Sequence, residues 1–471
     1  MRRNVLLPLF LLLALLSAAP PPAAGSYDLA RRIEKIIGSE PFFKKIRYGI
    51  LVQDLTSRET VYSNHPDAAL IPASNLKLLT AVMGFQYLGP DFTYRTSVYG
   101  PVPREGVLEG NLLLRGSGDP SFLYDFFQPT VLPLEMLAES LRKNGVRVIG
   151  GDLVADDSLF DREWTGEGWK KEYLLEDYAS PTGALSLNGN IVQVTVTPGK
   201  VVLYPAASSL RVLRRSGSSY YTPLAIARKP GEDVITVTGR APSSGSITST
   251  VTVQNPTMFT ATAFARILKK AGIRIAGRVR MIRLADEKDA CLKLTELASV
   301  SSPPLLDIIR VMNKESDNYI SQLILKTVAA RELGLGSMEN ARRVCLDFFA
   351  RAGVDSTGLY LADGCGLSRR NRITCRQLVG VLEYAGTQPY AQDFYSTLPS
   401  GGEGTMEGRL ETVPVIAKTG SIKSNTTLSG YVLARNGRTY VFSILVNGHP
   451  SACWYVREIQ DRIIKVLAGI S

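Results

Sequence analysis

The chain has 471 residues, 45% of them hydrophobic and 21% charged, with 41 glycines. Such a chain buries a large core, is too long for one ordinary domain and is not disordered. Its formal net charge of +11 comes from scattered basic doublets (Arg31-Arg32, Lys44-Lys45, Arg214-Arg215, Lys269-Lys270). Scattered doublets argue against a nucleic-acid-binding stripe and for a general attraction to an anionic cell envelope.

Arg2 and Arg3 precede an apolar run from Val5 to Ala19, followed by small residues ending in Ala23-Ala24-Gly25. This is the order of a secretory signal peptide, expected to span residues 1–25. The run is broken by Pro8 and falls short of the roughly 20 apolar residues of a membrane span; a retained N-terminal anchor is the alternative. No later stretch reads as a stable membrane span, and no cysteine near the cleavage site suggests a lipid anchor. An exported protein is therefore expected, in the periplasm or the extracellular cell-wall space. Of the five cysteines, Cys291, Cys345, Cys365, Cys375 and Cys453, none forms a CxxC pair, and the chain has two histidines. No metal site and no cofactor is expected. A disulfide such as Cys365–Cys375 is open in an oxidising compartment.

Leu29, Ile33, Ile36 and Ile37 recur at helical spacing behind Ser26 and Asp28. Two strands, Arg47–Asp54 and Thr60–Ser63, follow around a polar turn. From about residue 88 to about 288, short β-rich runs alternate with Gly and Pro turns. Within them, Leu141–Gly150 resembles Leu268–Gly277, each reading as a helix end, a glycine cap and a strand; this is either a repeat of two copies or a recurrent local solution. Ser216–Ser219 and Ser243–Ser246 read as loop tips. Helices dominate after Leu292, with Leu305, Ile308, Ile309 and Met312 forming a stripe. A hairpin, Leu428–Arg435 with Arg438–Val446, flanks Asn436-Gly437, and a last helix carries Val456, Ile459, Ile463 and Val466 on one face. The two ends of the chain are expected to build one α/β sheet domain around an insert.

Three short motifs carry chemistry. In Pro72-Ala73-Ser74-Asn75-Leu76-Lys77, positions i and i+3 share a helix face, so Ser74 and Lys77 are expected side by side at a first turn that favours negative charge. A serine hydroxyl needs a base, and a lysine made neutral by burial or by a second cation can serve. Either motif taken singly is weak: Ser140-Leu141-Arg142-Lys143 also fits SxxK, and Ser186-Leu187-Asn188 competes with Ser316-Asp317-Asn318. The third motif, Lys418-Thr419-Gly420-Ser421, is the only KTG in the chain and lies ahead of the final hairpin. A strand there can offer Lys418 as an ammonium, the Ser421 N–H to an oxyanion, and the Thr419 and Ser421 hydroxyls to a carboxylate. Asp317 reads as an exposed acid with no role.

The order SxxK, SDN, KTG is that of penicillin-binding proteins and class A β-lactamases. The chain from Arg47 to Gly448 resembles the peptidase S13, or class C low-molecular-mass, D-alanyl-D-alanine carboxypeptidases. The supporting segments are Gly116–Ser121, Tyr178–Pro181, Asn188–Asn190, Asp363–Arg369, Gly404–Met406 with Arg409, and Phe442–Asn447. Cys365 stands where the family usually has serine and Gln322 where it often has glutamate, and both substitutions are expected to stay clear of the three motifs. The resemblance implies an α/β (α+β) fold, a penicilloyl-serine transferase or β-lactamase-like domain with an antiparallel sheet flanked by helices, discontinuous and carrying a large β-rich insert. The expected segments are 26–87 and 289–471 for that domain and 88–288 for an insert outside the acylation chemistry. It implies a serine-type D-Ala-D-Ala carboxypeptidase, or also endopeptidase, acting on peptidoglycan stem peptides and inhibited by covalent β-lactam acylation. Ser74 is then the nucleophile, Lys77 its base, and Ser316 a proton relay. Asn318 positions Lys77 and substrate, Lys418 supplies positive potential, and Thr419, Gly420 and Ser421 bind substrate. A β-lactamase-type hydrolase, a serine esterase and a catalytically silent wall-binding protein are the rival readings.

Overall fold

The structure, a computed structural model, describes residues 24–215, 223–229, 231–282 and 294–470. Residues 1–23 of the expected signal segment, the Ser216–Ser219 loop tip and Cys291 lie outside the described residues. The α-helices are α1 (Ala24–Gly38), α2 (Leu76–Tyr87), α3 (Leu132–Lys143), α4 (Pro256–Lys270), α5 (Leu305–Glu315), α6 (Asn318–Leu333), α7 (Met338–Ala352), α8 (Cys375–Gly386), α9 (Ala391–Thr397) and α10 (Cys453–Ala468). Among the described residues none is long and apolar enough to cross a membrane. The described residues form two compact units. One comprises the chain up to Asn75, Arg372–Thr387 and Leu398 onward; the other comprises Leu76–Asn371 and Gln388–Thr397.

The first unit is built on a five-stranded antiparallel sheet. Its strands are β1 (Arg47–Asp54), β2 (Thr60–Asn64), β3 (Val415–Ile422), β4 (Asn425–Leu433) and β5 (Thr439–Asn447), in the spatial order β3-β4-β5-β1-β2. Strand side chains alternate between faces. Ile50, Val52, Leu428, Val432, Phe442 and Ile444 therefore point one way, into a core completed by Ile33 and Ile37 of α1 and Val456, Ile459 and Ile463 of α10. The opposite face meets α8: the Tyr431 hydroxyl donates to Leu382 O at 2.6 Å, and a β-carbon on Gly49 would lie 3.1 Å from Cys375 Sγ. Covered on both faces, β4 and β5 are buried almost throughout, and β5 carries apolar residues on both faces, as a doubly covered strand does. The Asn436-Gly437 turn closes the hairpin, with Gly437 at φ +80° and the Asn436 side chain accepting from Arg438 N at 3.0 Å.

In the second unit α6 is buried along nearly its whole length, from Tyr319 to Ala330, with its polar residues Ser321, Gln322, Lys326 and Thr327 hydrogen-bonded. Helices α2 and α5 pack against it, and α5, α6 and α7 belong to the same compact unit as the 88–288 stretch. That stretch contains, among the described residues, three three-stranded sheets, the helices α3 and α4, and four strands of a five-stranded sheet whose fifth, Thr295–Ser301, pairs with Arg95–Gly100. The two similar segments prove to be structural copies. After α3 and α4, Gly145 and Gly272 both sit at φ +82°, and the N–H groups of Val146 and Ile273 return to Leu141 O (3.0 Å) and Leu268 O (2.9 Å), a glycine-capped helix end. The strands that follow, Val148–Ile149 and Arg274–Ile275, lie side by side in parallel.

The four described cysteines, Cys345, Cys365, Cys375 and Cys453, are free thiols, so the Cys365–Cys375 pairing does not form. Each of those two is instead buried in its own unit.

The Gly116–Ser121 segment holds a buried carboxylate. Asp119 Oδ1 accepts from Ser121 N at 2.8 Å, while Oδ2 has no partner among the described residues. Burial raises its pKa to about 6. A raised folded-state pKa means that the charged form costs stability above it, while below the unfolded value near 3.8 no penalty remains. Asp119→Asn, which keeps the acceptor for Ser121 N, is expected to raise the melting temperature at pH 8 and to leave it nearly unchanged below pH 4, as read by calorimetry.

Candidate active site

Ser74 lies in a 3-10 turn, Ala73–Asn75, that leads directly into α2. The helix proper thus begins two residues after Ser74, rather than around it. Ala73 occupies φ +47°, a left-handed conformation rare for a residue with a β-carbon. The surroundings hold it there: Asn75 Nδ2 donates to Lys418 O at 2.9 Å, and the Thr427 hydroxyl is shared between Pro72 O, 2.9 Å away, and Asn75 Oδ1. Strained backbone persists only where neighbours over-determine it, and it concentrates at functional positions.

The KTG segment is the edge strand β3, paired to β4 with Lys418 opposite Ser429, Gly420 opposite Thr427 and Ser421 opposite Thr426. Lys418 is fully buried, with Nζ donating to Thr419 O at 3.2 Å. A β-carbon on Gly420 would sit 2.3 Å from Thr427 Oγ1 and 2.9 Å from Ser74 N. Glycine is therefore what lets the strand lie against the backbone of Ser74. Ser421 is exposed and its hydroxyl accepts from Arg457 Nη2 at 3.0 Å. Both histidines lie elsewhere; His449, buried, uses its ring nitrogens on Thr426 (3.0 Å) and Ser451 (2.9 Å).

The second unit carries Lys77 and the SDN segment. Lys77 has no exposed surface, and its Nζ donates to Asn318 Oδ1 at 2.6 Å and to Cys365 O at 2.9 Å. Burial pushes its ammonium below the usual lysine range, opposed by the charges of Cys365, Asp317 and Asp363. Ser316-Asp317-Asn318 forms the corner between α5 and α6. Ser316 ends α5 at φ +63° and Asn318 opens α6. Asp317 is not an exposed acid: it is half-buried and caps α6, its Oδ1 accepting from Ile320 N at 2.7 Å, and burial raises its carboxyl above the usual range. This cap directs the Asn318 side chain toward Lys77, and the Asn318 amide donates in turn to Tyr178 O at 2.8 Å. The chance SxxK match lies on α3, where Lys143 is exposed and pairs with Glu139 at 3.6 Å.

Two expectations need correction. Cys365 does meet the motifs, through its carbonyl; because main chain makes the contact, exchanging the side chain leaves it intact. Gln322 performs the task a glutamate would, its Oε1 accepting from Gly364 N at 2.7 Å, while Gly364 O accepts from Thr80 and Ser321, each at 2.7 Å. The 88–288 stretch, in turn, is not separate from the motifs, since Tyr178 O anchors Asn318. Sequence reading missed Asn75, Thr427 and the Tyr178 carbonyl. Asn75 had a signal, its place inside SxxK; the other two had none, being a threonine in a strand and a main-chain atom.

Residues 29–469 match the model of the D-Ala-D-Ala carboxypeptidase 3 (S13) family. The chain is 31% identical over 494 residues to the D-alanyl-D-alanine carboxypeptidase of Actinomadura sp. (strain R39), across 98% of this chain and 88% of that protein. Its fold matches the crystal structure of penicillin binding protein 4 (dacB) from Haemophilus influenzae with a TM-score of 0.77 and 25% identity, covering 93% of this chain and 98% of that one. The same Haemophilus protein complexed with a β-lactam matches at 0.73 and 24% identity, covering 92% and 98%.

Gly420→Ala tests the close approach of β3 to Ser74. The added methyl displaces the Ser74 backbone or Thr427, and a shift of about 1 Å at a reacting group costs on the order of 100-fold in rate. The second-order rate of acylation by a fluorescent penicillin is expected to fall by about that factor while the melt stays cooperative.

Proposed function

Because the chain belongs to the D-Ala-D-Ala carboxypeptidase 3 (S13) family, a serine-type peptidase family, we propose that it is an exported enzyme that removes the terminal D-alanine of peptidoglycan stem peptides through an acyl-enzyme on Ser74. The Ser74 hydroxyl oxygen attacks the carbonyl carbon of the penultimate D-alanine, and its proton passes to Lys77 Nζ. The N–H groups of Ser74 and Ser421 take the oxyanion, a contribution of about 3 kcal/mol per donor. Ser316 relays a proton to the nitrogen of the leaving D-alanine as the C–N bond breaks. Water then hydrolyses the ester and frees Ser74. Lys418 keeps the potential positive and attracts the terminal carboxylate, which Thr419 and the Ser421 hydroxyl hold while Gly420 allows the approach. Asn318 orients Lys77 and the substrate amide. A β-lactam acylates the same oxygen but leaves slowly. Cleavage of cross-links, an endopeptidase activity, uses the same steps with a larger leaving amine.

One observation carries this reading: the state of Lys77. A neutral amine has two hydrogens and one lone pair. Asn318 Oδ1 and Cys365 O each accept a hydrogen bond from Lys77 Nζ, an arrangement that a neutral amine can make. Burial favours that neutral form. A base must be unprotonated to act, so acylation rises with pH through the pKa of Lys77 and is lost below it.

The tests separate the roles. Ser74→Ala is expected to abolish covalent penicillin labelling, and Ser140→Ala to leave it intact; labelling that survives Ser74→Ala removes the mechanism. Lys77→Arg is expected to be nearly inactive because a guanidinium stays protonated, whereas Lys418→Arg keeps its cation and partial activity. Equal losses in acylation rate would contradict that division of labour. Release of D-alanine from stem peptides, without steady ampicillin turnover, distinguishes the carboxypeptidase from a β-lactamase and from a silent wall-binding protein.

A further inference from the structure

The carbonyl that receives Lys77 belongs to a loop held from one point. Asp363, fully buried, accepts at Oδ1 from Cys365 N (3.2 Å), Gly366 N (2.7 Å) and Asn371 Nδ2 (2.9 Å). Its Oδ2 accepts from Ser368 N at 2.6 Å and from the indole Nε1 of Trp169 at 2.8 Å. Four of these five donors lie within the loop itself; Trp169 comes from the 88–288 stretch. The indole is fixed in turn. A β-carbon on Gly166 would lie 2.2 Å from Trp169 Nε1, the Ser368 hydroxyl donates to Glu167 O at 2.6 Å, and Arg370 pairs with the Glu167 carboxylate at 2.8 Å.

We infer that Trp169 is a positioning residue for the acylation step, its indole N–H orienting Asp363 and, through the loop that Asp363 organises, the Cys365 carbonyl on which Lys77 rests. The inference deepens the proposed function and rests on Lys77 being the base. Its physical content is twofold. Trp169 sets where the Cys365 carbonyl stands, and so where the Lys77 lone pair points. It also donates to Asp363 Oδ2 and so screens the carboxylate charge that acts on Lys77. The titratable groups facing Lys77 in this unit are Asp317, Asp363 and the Cys365 thiol, the last held neutral by burial, and of these Asp363 is the one that the indole touches. The stretch expected to lie outside the acylation chemistry thus reaches the surroundings of Lys77 through Trp169 on Asp363 and Tyr178 O on Asn318.

The test is the pH profile of the second-order rate of β-lactam acylation for the full chain and for Lys77→Arg, Trp169→Phe and Asp363→Asn. Trp169→Phe keeps the aromatic bulk and removes the N–H. Its plateau is expected to fall roughly tenfold, the order expected of a misplaced catalytic group, and its acid limb to move to higher pH, because an unscreened Asp363 holds the proton on Lys77 more firmly. Asp363→Asn removes the charge and moves the limb the other way, to lower pH. Opposite displacements are not what a loss of packing gives. If Asp363→Asn does not fold, a Trp169 isostere with sulfur in place of the indole N–H, installed at that site alone, reads the same shift as Trp169→Phe. A Trp169→Phe profile matching wild type, or one lowered without a shift, overturns the inference while Lys77→Arg stays inactive. If Lys77→Arg acylates at the wild-type rate, the reading of Lys77 as base fails and the inference falls with it.

Discussion

A lysine with no exposed surface is costly to keep charged, and burial presses the Lys77 pKa downward. Two of the partners of Lys77 are neutral oxygens, an amide and a carbonyl, while the acids nearby, Asp317 and Asp363, accept from backbone and side-chain N–H groups. Removing the ammonium from water disfavours its charge, and accepted hydrogen bonds rather than ion pairs keep the cost tolerable. The contrast with Lys326, on α6, is instructive. It is equally buried but meets the Asp161 carboxylate at 2.7 Å, and there the charged pair is structural.

Holding those two neutral oxygens in place occupies much of the unit. The Asp317 cap aims Asn318, Tyr178 O fixes the far side of its amide, and the 363–371 loop is tied down by Asp363, Gln322, Thr80 and Ser321. An internally satisfied polar network of this kind is costly to disturb, since each broken link leaves a buried group unpaired. That is the physical reason an inserted stretch of chain can matter to the hydrogen bonds around Lys77.

The first unit solves a different problem, bringing two stretches of backbone together. Ser74 and β3 are more than 300 positions apart in the chain, and what joins them is Asn75 bridging to Lys418 O, Thr427 reaching Pro72 O, and the absence of a β-carbon at Gly420. The sheet behind β3 is buried on both faces between α1 and α10 on one side and α8 on the other, so the edge strand has a rigid backing against which Ser74 is set.

Much of this was legible in the amino-acid order. Local periodicity predicted the β1–β2 pair, the Asn436-Gly437 hairpin and the helices at either end, because strand and helix patterns and turn chemistry act over a few residues. The three motifs identified Ser74, Lys77, Asn318 and Lys418 as residues of interest because their types and spacings are unusual in combination. Tertiary structure alone decided the rest: that Asp317 caps a helix, that Cys365 meets Lys77 through its carbonyl, that the cysteines stay apart, and that Trp169 and Tyr178 reach the network. Those contacts are made by main-chain atoms and by side chains distant in sequence. A carbonyl leaves no trace in residue identity, and burial, which sets the protonation of Lys77, is a property of everything packed around it.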